Sequence, residues 1–233
     1  KEQNLVEEYE NDYGGIRLSV HPNWFPVDFI DRQNTHSGIS AEIFGKVGEE
    51  HDIEFINRIT DSFEDSVKNV VEGRADLLPA VVPTPELRKK LSFTKPYLSL
   101  QLVLATRSSE FFVGSPANLS DRHIAVVDRG TLLRVLENKY PDLTFHEVED
   151  VAEGLRMVRD EEIFAYIGTI PTIAHGIQSS DLYNIKISGR LEERLPISAA
   201  ASRGNEALVG VIDKVLHGIE IEKREAVVNR WIS

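Results

Sequence analysis

Cysteine is absent from the chain, which removes disulfides, thiolate metal sites and cysteine nucleophiles together. The same absence fits an extracytoplasmic protein, but many cytosolic domains also manage without cysteine, so location has to be argued otherwise. Long apolar runs are missing too: none approaches the roughly 18 residues that a membrane helix needs. Positive charge is scarce, with 26 Lys and Arg against 38 Asp and Glu and a net charge of -12. That balance repels polyanions and argues against a nucleic-acid or anionic-membrane surface. Catalytic signatures are likewise absent. There is no HExxH, GxSxG, P-loop or GxGxxG, and no two of the seven histidines stand three or four apart. The reading is therefore a non-catalytic domain with no cofactor and no metal. Acidic pairs such as Glu161–Glu162 and Glu192–Glu193 read as solvated turns. Residues 1–15, KEQNLVEEYENDYGG, lack the basic start and apolar centre of a secretion signal, so the chain reads as a mature form or an excised domain.

What is present is the alternation of apolar runs with helical periods that marks an α/β protein. IRLSV (16–20) reads as a strand, and Ile39, Ile43 and Val47 after Gly38 mark one helix face. IEFIN (53–57) is the next strand. Ser62 with Asp65 resembles a capping box, Phe63, Val67, Val70 and Val71 form a stripe, and Gly73 stops the helix. DLLPAVV (76–82) closes this section as a third strand. A second section repeats the logic. HIAVVD (123–128) is a strand, Gly130 and Thr131 open a helix that YPD (140–142) ends, and another helix follows Asp150. IFAYIGT (163–169) leads into a short helix, and NIKIS (184–188) is a further strand. SLQLVLATR (99–107) and LPISAAASR (195–203) read as paired extended connections between the sections. From Asn205, Leu208, Val211, Ile212, Val215, Leu216 and Ile219 keep the i, i+3, i+4 rule of a helix, and a last short helix ends at Trp231. WFPVDFID (24–31) reads as an aromatic-rich loop. Two α/β sections joined by two extended segments imply a chain that leaves one lobe, builds a second and returns, and the crevice of such a hinge suits a small ligand.

Several stretches carry a resemblance to a known family: HPNWFPVDFID with Gly38 behind it, EGRADLLPAVVPTPELRKKLSFTKPY (72–97), the strand-Gly-Thr-helix of DRGTLLRVL and the closing VVNRWIS. From Ile16 to Trp231 the chain resembles the type II periplasmic solute-binding proteins of the amino-acid-binding branch. The central block is the specific part: an Asp after a short helix, then TPE, Arg, and an aromatic-hydroxyl-x-Pro-Tyr segment. LLP after that Asp, YPD after the Gly-Thr helix and the terminal Asn-x-Trp are similar to the Venus-flytrap sensor domains of bacterial histidine kinases and diguanylate cyclases. The resemblance implies a two-lobed α/β Venus flytrap with two hinge crossovers, with residues 1–104 and 201–233 in lobe 1 and 105–200 in lobe 2.

It also implies site residues. Trp24 matches the aromatic that stacks on ligand; the bland reading, a cover for the core edge, is the weaker of the two. Phe29 reads as core. Arg88 corresponds to the arginine that grips a ligand carboxylate in two-pronged fashion, a task suited to a planar guanidinium. TPELR however carries Leu87 where the family pattern has arginine, so a solvated surface arginine is nearly as strong a reading. Thr84 keeps a hydroxyl nearby, whereas Val81 and Pro83 stand where many amino-acid binders have polar groups. Gly130 and Thr131 would offer free helix N–H groups to an anion, and a plain helix cap explains them as well. Thr169 stands where amino-acid binders carry the Asp that pairs with the ligand's ammonium, which argues against ordinary α-amino acids. His21 and Asp28 are candidates for further polarity at the pocket mouth.

The resemblance implies an extracytoplasmic, periplasmic sensor domain of a histidine kinase or diguanylate cyclase. It would bind a small polar metabolite, amino-acid-like or an organic anion, within a full-length protein anchored in the membrane. Sensors of this sort often work as dimers. The alternative is a solute-binding receptor of an ABC transporter for amino acids or organic anions. An enzyme such as a cyclohexadienyl dehydratase, whose fold is similar, ranks below both.

Overall fold

In a computed structural model, which describes residues 1–127 and 132–232, the chain divides into two units. The first comprises Lys1–Leu98 and Pro196–Trp231, the second Ser99–Leu195.

The first unit begins with helix α1 (Glu2–Tyr13) and continues through strands β1 (Ile16–Ser19), β2 (Asn23–Trp24), β3 (Asp28–Ile30) and β4 (His36–Ser37). Helix α2 (Ile39–His51), β5 (Phe55–Arg58), α3 (Phe63–Val71), β6 (Leu77–Val81), the one-turn α4 (Pro85–Arg88) and β7 (Leu91–Phe93) follow. β1 pairs in parallel with β5 and with β6. Every residue of β1 and β6 is buried, as befits central strands covered on both faces. Helices α1 and α3 pack on β1, and α2 on β6. Ser62 caps α3 as its sequence position implies, its hydroxyl accepting the Asp65 N–H at 3.1 Å. Val67 and Val70 turn inward while Val71 stays exposed.

Gly38 precedes α2 at φ +110°, and a Cβ there would lie 2.7 Å from the Val27 carbonyl oxygen and 2.8 Å from that of Pro26. Both clashes are with backbone, so no rotamer change relieves them. Gly38→Ala is expected to cost more than about 2 kcal/mol, the upper part of the range for a strained backbone position, read as a lowered urea midpoint by circular dichroism.

The second unit holds β8 (Leu98–Arg107), β9 (His123–Val126), α5 (Leu132–Lys139), β10 (Thr144–Glu147), α6 (Val151–Arg159), β11 (Ala165–Thr169), α7 (Ile170–Ser179) and the first part of β12 (Ile185–Ser202). Its strand order is β10-β9-β11-β8-β12. β9, β10 and β11 run parallel, and β8 runs antiparallel to β11. Asp150 caps α6 by accepting the Glu153 N–H at 2.8 Å. Val103, Ala125, Leu155, Val158, Tyr166 and Ile173 form the centre of its core.

From Pro196 the chain is again in the first unit, where the end of β12 pairs antiparallel with both β6 and β7. Helices α8 (Glu206–His217) and α9 (Ile221–Ile232) complete it. The α8 stripe is buried as its spacing requires: Leu208, Val211, Ile212, Val215 and Leu216 all turn inward.

The structure departs from the sequence reading in four places. The stretch read as a loop at 24–31 contributes two strands to a small antiparallel sheet, β2-β3-β4. NIKIS and LPISAAASR belong to one 18-residue strand, β12, because the polar GRLEER between them continues the ladder with alternating exposure. TFHE (144–147) is an added edge strand. Helix α1 had no apolar stripe to announce it and has no buried residue. It is held instead by polar and ring contacts. The Arg17 guanidinium carbon lies 3.6 Å from the centre of the Tyr13 ring, and Asn205 Nδ2 donates to Tyr9 Oη at 2.9 Å.

Candidate functional site

Three of the singled-out residues of the first unit, His21, Trp24 and Asp28, gather where β1 ends. β2 and β3 are joined by a short turn that pairs Trp24 with Asp28 and Asn23 with Phe29, and the Phe25–Pro26 peptide is cis. His21 leads into this hairpin. Its Nδ1 accepts the Asn23 N–H at 3.1 Å, which leaves Nε2 to carry the proton of the neutral ring. The imidazole stacks on Phe63, centroids 5.0 Å apart, and tilts toward Trp24 at 5.7 Å. Trp24 keeps only 6% of its surface exposed. Phe63 was legible only as part of a helix stripe.

Asp28 is fully buried, and both its oxygens are engaged. Oδ2 accepts the His21 backbone N–H at 3.0 Å, and Oδ1 accepts the Ser40 hydroxyl at 2.7 Å with His36 Nε2 at 2.5 Å. The carboxylate thereby ties the hairpin to β4 and to the first turn of α2. Tyr97 is also buried and donates to the Pro79 carbonyl at 2.6 Å. Burial, aided by the nearby Asp28 charge, raises its phenol well above the usual range, so it serves as a neutral donor.

The two phenylalanines of the hairpin have a different use. Phe25 and Phe29 lie 4.8 Å apart and both meet the Trp231 ring edge-on at 6.0 Å. Trp231 Nε1–H donates to Glu42 Oε1 at 3.0 Å, and Arg230 reaches Glu42 Oε2 at 2.6 Å. Helix α9 is thus fastened to the segment that carries Trp24 and to α2.

Further along the same unit, Val81 is packed among Val67, Val70, Ala75, Leu78 and Leu91. Thr84 caps α4, accepting the Leu87 N–H at 3.0 Å. Arg88 is exposed, its guanidinium carbon 5.1 Å from the Phe93 ring centre. In the second unit Thr169 is buried and caps α7, with its hydroxyl 2.8 Å from that of Thr172. Gly130 and Thr131 lie outside the described residues.

Residues 16–233 match the family model of bacterial extracellular solute-binding proteins, family 3. The chain belongs to that family. Among family relatives, the virulence sensor protein BvgS of Bordetella bronchiseptica is 22% identical over 219 residues, covering 93% of this chain and 18% of the relative. The chain thus spans under a fifth of the length of that sensor. A probable amino-acid ABC transporter-binding protein of Haemophilus influenzae is 23% identical over 205 residues, covering 88% of this chain and 79% of the relative. The crystal structure of the Bordetella pertussis BvgS periplasmic VFT2 domain superposes with a TM-score of 0.85 at 20% identity, covering 98% of this chain and 97% of that one. This family-3 chain therefore has the type II periplasmic-binding-protein, or Venus-flytrap, fold. Among its described residues no helix is long and apolar enough to cross a membrane.

Proposed function

We propose that this chain is the extracytoplasmic ligand-sensing domain of a bacterial signal-transduction protein, and that it is itself non-catalytic. A small polar metabolite, amino-acid-like or an organic anion, would bind between its lobes. The observation that carries the reading is the match of 93% of this chain to 18% of a much longer sensor protein. The match to a transport-type binding protein over 88% of this chain supports a second reading, a solute receptor of an ABC transporter.

In this proposal Trp24 is the ligand wall on the first lobe, where an indole face attracts a cationic group by about 0.5 to 2 kcal/mol. Thr84 and Arg88 lie on the same unit, and Gly130, Thr131 and Thr169 contribute from the second. His21 and Asp28 act behind Trp24, His21 against the indole and Asp28 through its hold on the hairpin. Ligand biases an open-to-closed equilibrium only by binding the two states unequally. Helix α9 is suited to carry the result onward, because Trp231 is packed on Phe25 and Phe29, the neighbours of Trp24 along the hairpin. In the full-length protein that output would reach a kinase or cyclase module across a membrane anchor, with dimeric assembly.

The test is calorimetry across a panel of organic acids and amino-acid relatives, paired with small-angle scattering. A ligand that binds with compaction is expected, and Trp24→Ala is expected to weaken it by about tenfold, the equivalent of 1.4 kcal/mol. A tight ligand without compaction, or one indifferent to Trp24→Ala, overturns the proposed site.

A further inference from the structure

At the outer edge of the second unit, two histidines far apart in sequence face one another. β10 is the edge strand of that sheet and pairs in parallel with β9, with Thr144 opposite His123 and His146 opposite Ala125. Residues two apart on a strand share a face, so His123 and His146 are diagonal neighbours on one surface, and both are exposed. His123 Nδ1 and His146 Nε2 lie 2.6 Å apart, with ring centroids 4.9 Å apart and planes inclined by 25°. That centroid separation is close to the nitrogen gap plus two ring radii, so the two nitrogens meet end-on, joined by one N–H···N hydrogen bond.

We propose that His123 and His146 form a two-imidazole site for a divalent ion of the zinc, nickel or copper class. Neutral imidazole is the side chain these borderline ions select, whereas magnesium and calcium demand oxygen ligands. The ladder fixes the two backbones, so the chelate is largely assembled before the ion arrives. A tetrahedral zinc with bonds of about 2.0–2.1 Å sets its ligand nitrogens about 3.3 Å apart. Two exposed rings reach that spacing by small rotations. In the ion-free pair one ring donates its N–H to the other; on binding, the donor ring moves its proton to its second nitrogen and both lone pairs turn to the ion. No group of three or more His, Asp or Glu side chains suited to a metal occurs among the described residues. Water therefore fills the remaining coordination positions, and the bound ion stays exchangeable.

The experiment is calorimetric titration of zinc sulfate into the whole chain in a non-chelating buffer. One equivalent is expected to bind. His123→Gln and His146→Gln are each expected to weaken binding by about tenfold or more, since losing a direct ligand costs at least as much as losing a residue that merely supports one. His51→Gln, at the exposed end of α2, serves as the control and should bind like the parent. Circular dichroism checks that the variants stay folded, and the imidazole resonances of His123 and His146 should be the ones that shift with zinc. Absence of binding to the parent chain, or binding by both single variants as tight as the parent's, overturns the site.

Discussion

Asp28→Ala is expected to lower the stability of the first unit by about 4 to 5 kcal/mol, the top of the range for breaking a buried charged network. The carboxylate accepts from the His21 N–H, the Ser40 hydroxyl and His36 Nε2, and none of its surface reaches solvent. Alanine removes the acceptor and leaves the donors behind. Each stranded buried donor costs about 1–3 kcal/mol, so the three together account for a loss of this size. Asp28→Asn keeps one accepting oxygen and should recover part of it. Urea denaturation followed by circular dichroism measures the change. An unaltered midpoint for Asp28→Ala would mean that water replaces the carboxylate at no cost.

Asp76→Ala is expected to cost about 3–5 kcal/mol by stranding the Arg17 guanidinium. The arrangement is two-pronged: Arg17 Nε donates to Asp76 Oδ2 at 3.1 Å and Nη2 to Oδ1 at 2.9 Å, while the Arg17 backbone N–H also reaches Oδ2 at 2.8 Å. Only 11% and 8% of the two side chains are exposed, so solvent screens the pair weakly. The hydrogen bond to Asp76 raises the guanidinium further above its ordinary value, and a guanidinium stays protonated even without that bond, so removing Asp76 leaves a charge behind. The double change Arg17→Met with Asp76→Leu removes both charges and should be milder than Asp76→Ala alone, because no uncompensated ion is left inside. A double variant as damaged as the single one would show that packing, not charge, sets the cost. The same site lies beneath α1 in a groove of about 370 Å³ lined by Tyr9, Tyr13, Arg17 and Asp76, so loss of the pair should also loosen that helix.

Much of the fold was legible because its elements bury a periodic apolar face. The α8 stripe, the α3 cap at Ser62 and the buried run of β6 each announce themselves locally. The hairpin of β2 and β3 did not, since its strands are two and three residues long and periodicity has no room to show. Helix α1 escaped for the opposite reason: a helix with no buried residue leaves no apolar signature. The candidate site was legible through resemblance more than through chemistry. Asp28 stood out as a polar group near Trp24, yet its bonds to Ser40 and His36 depend on tertiary contacts that no local spacing reveals. The histidine pair is a sharper case. Its members are 23 residues apart, so a search for helical ligand spacing passes over them, and only the parallel register of β9 and β10 brings them together.

The placement of the indoles has a practical consequence. The chain holds two tryptophans, Trp24 in β2 and Trp231 in α9, and both belong to the first unit. Their fluorescence emission is therefore a built-in spectroscopic label for that unit, blind to events confined to the other. Monitored alongside a whole-chain signal, it would tell whether the two halves melt in one step or in succession, with no dye attached.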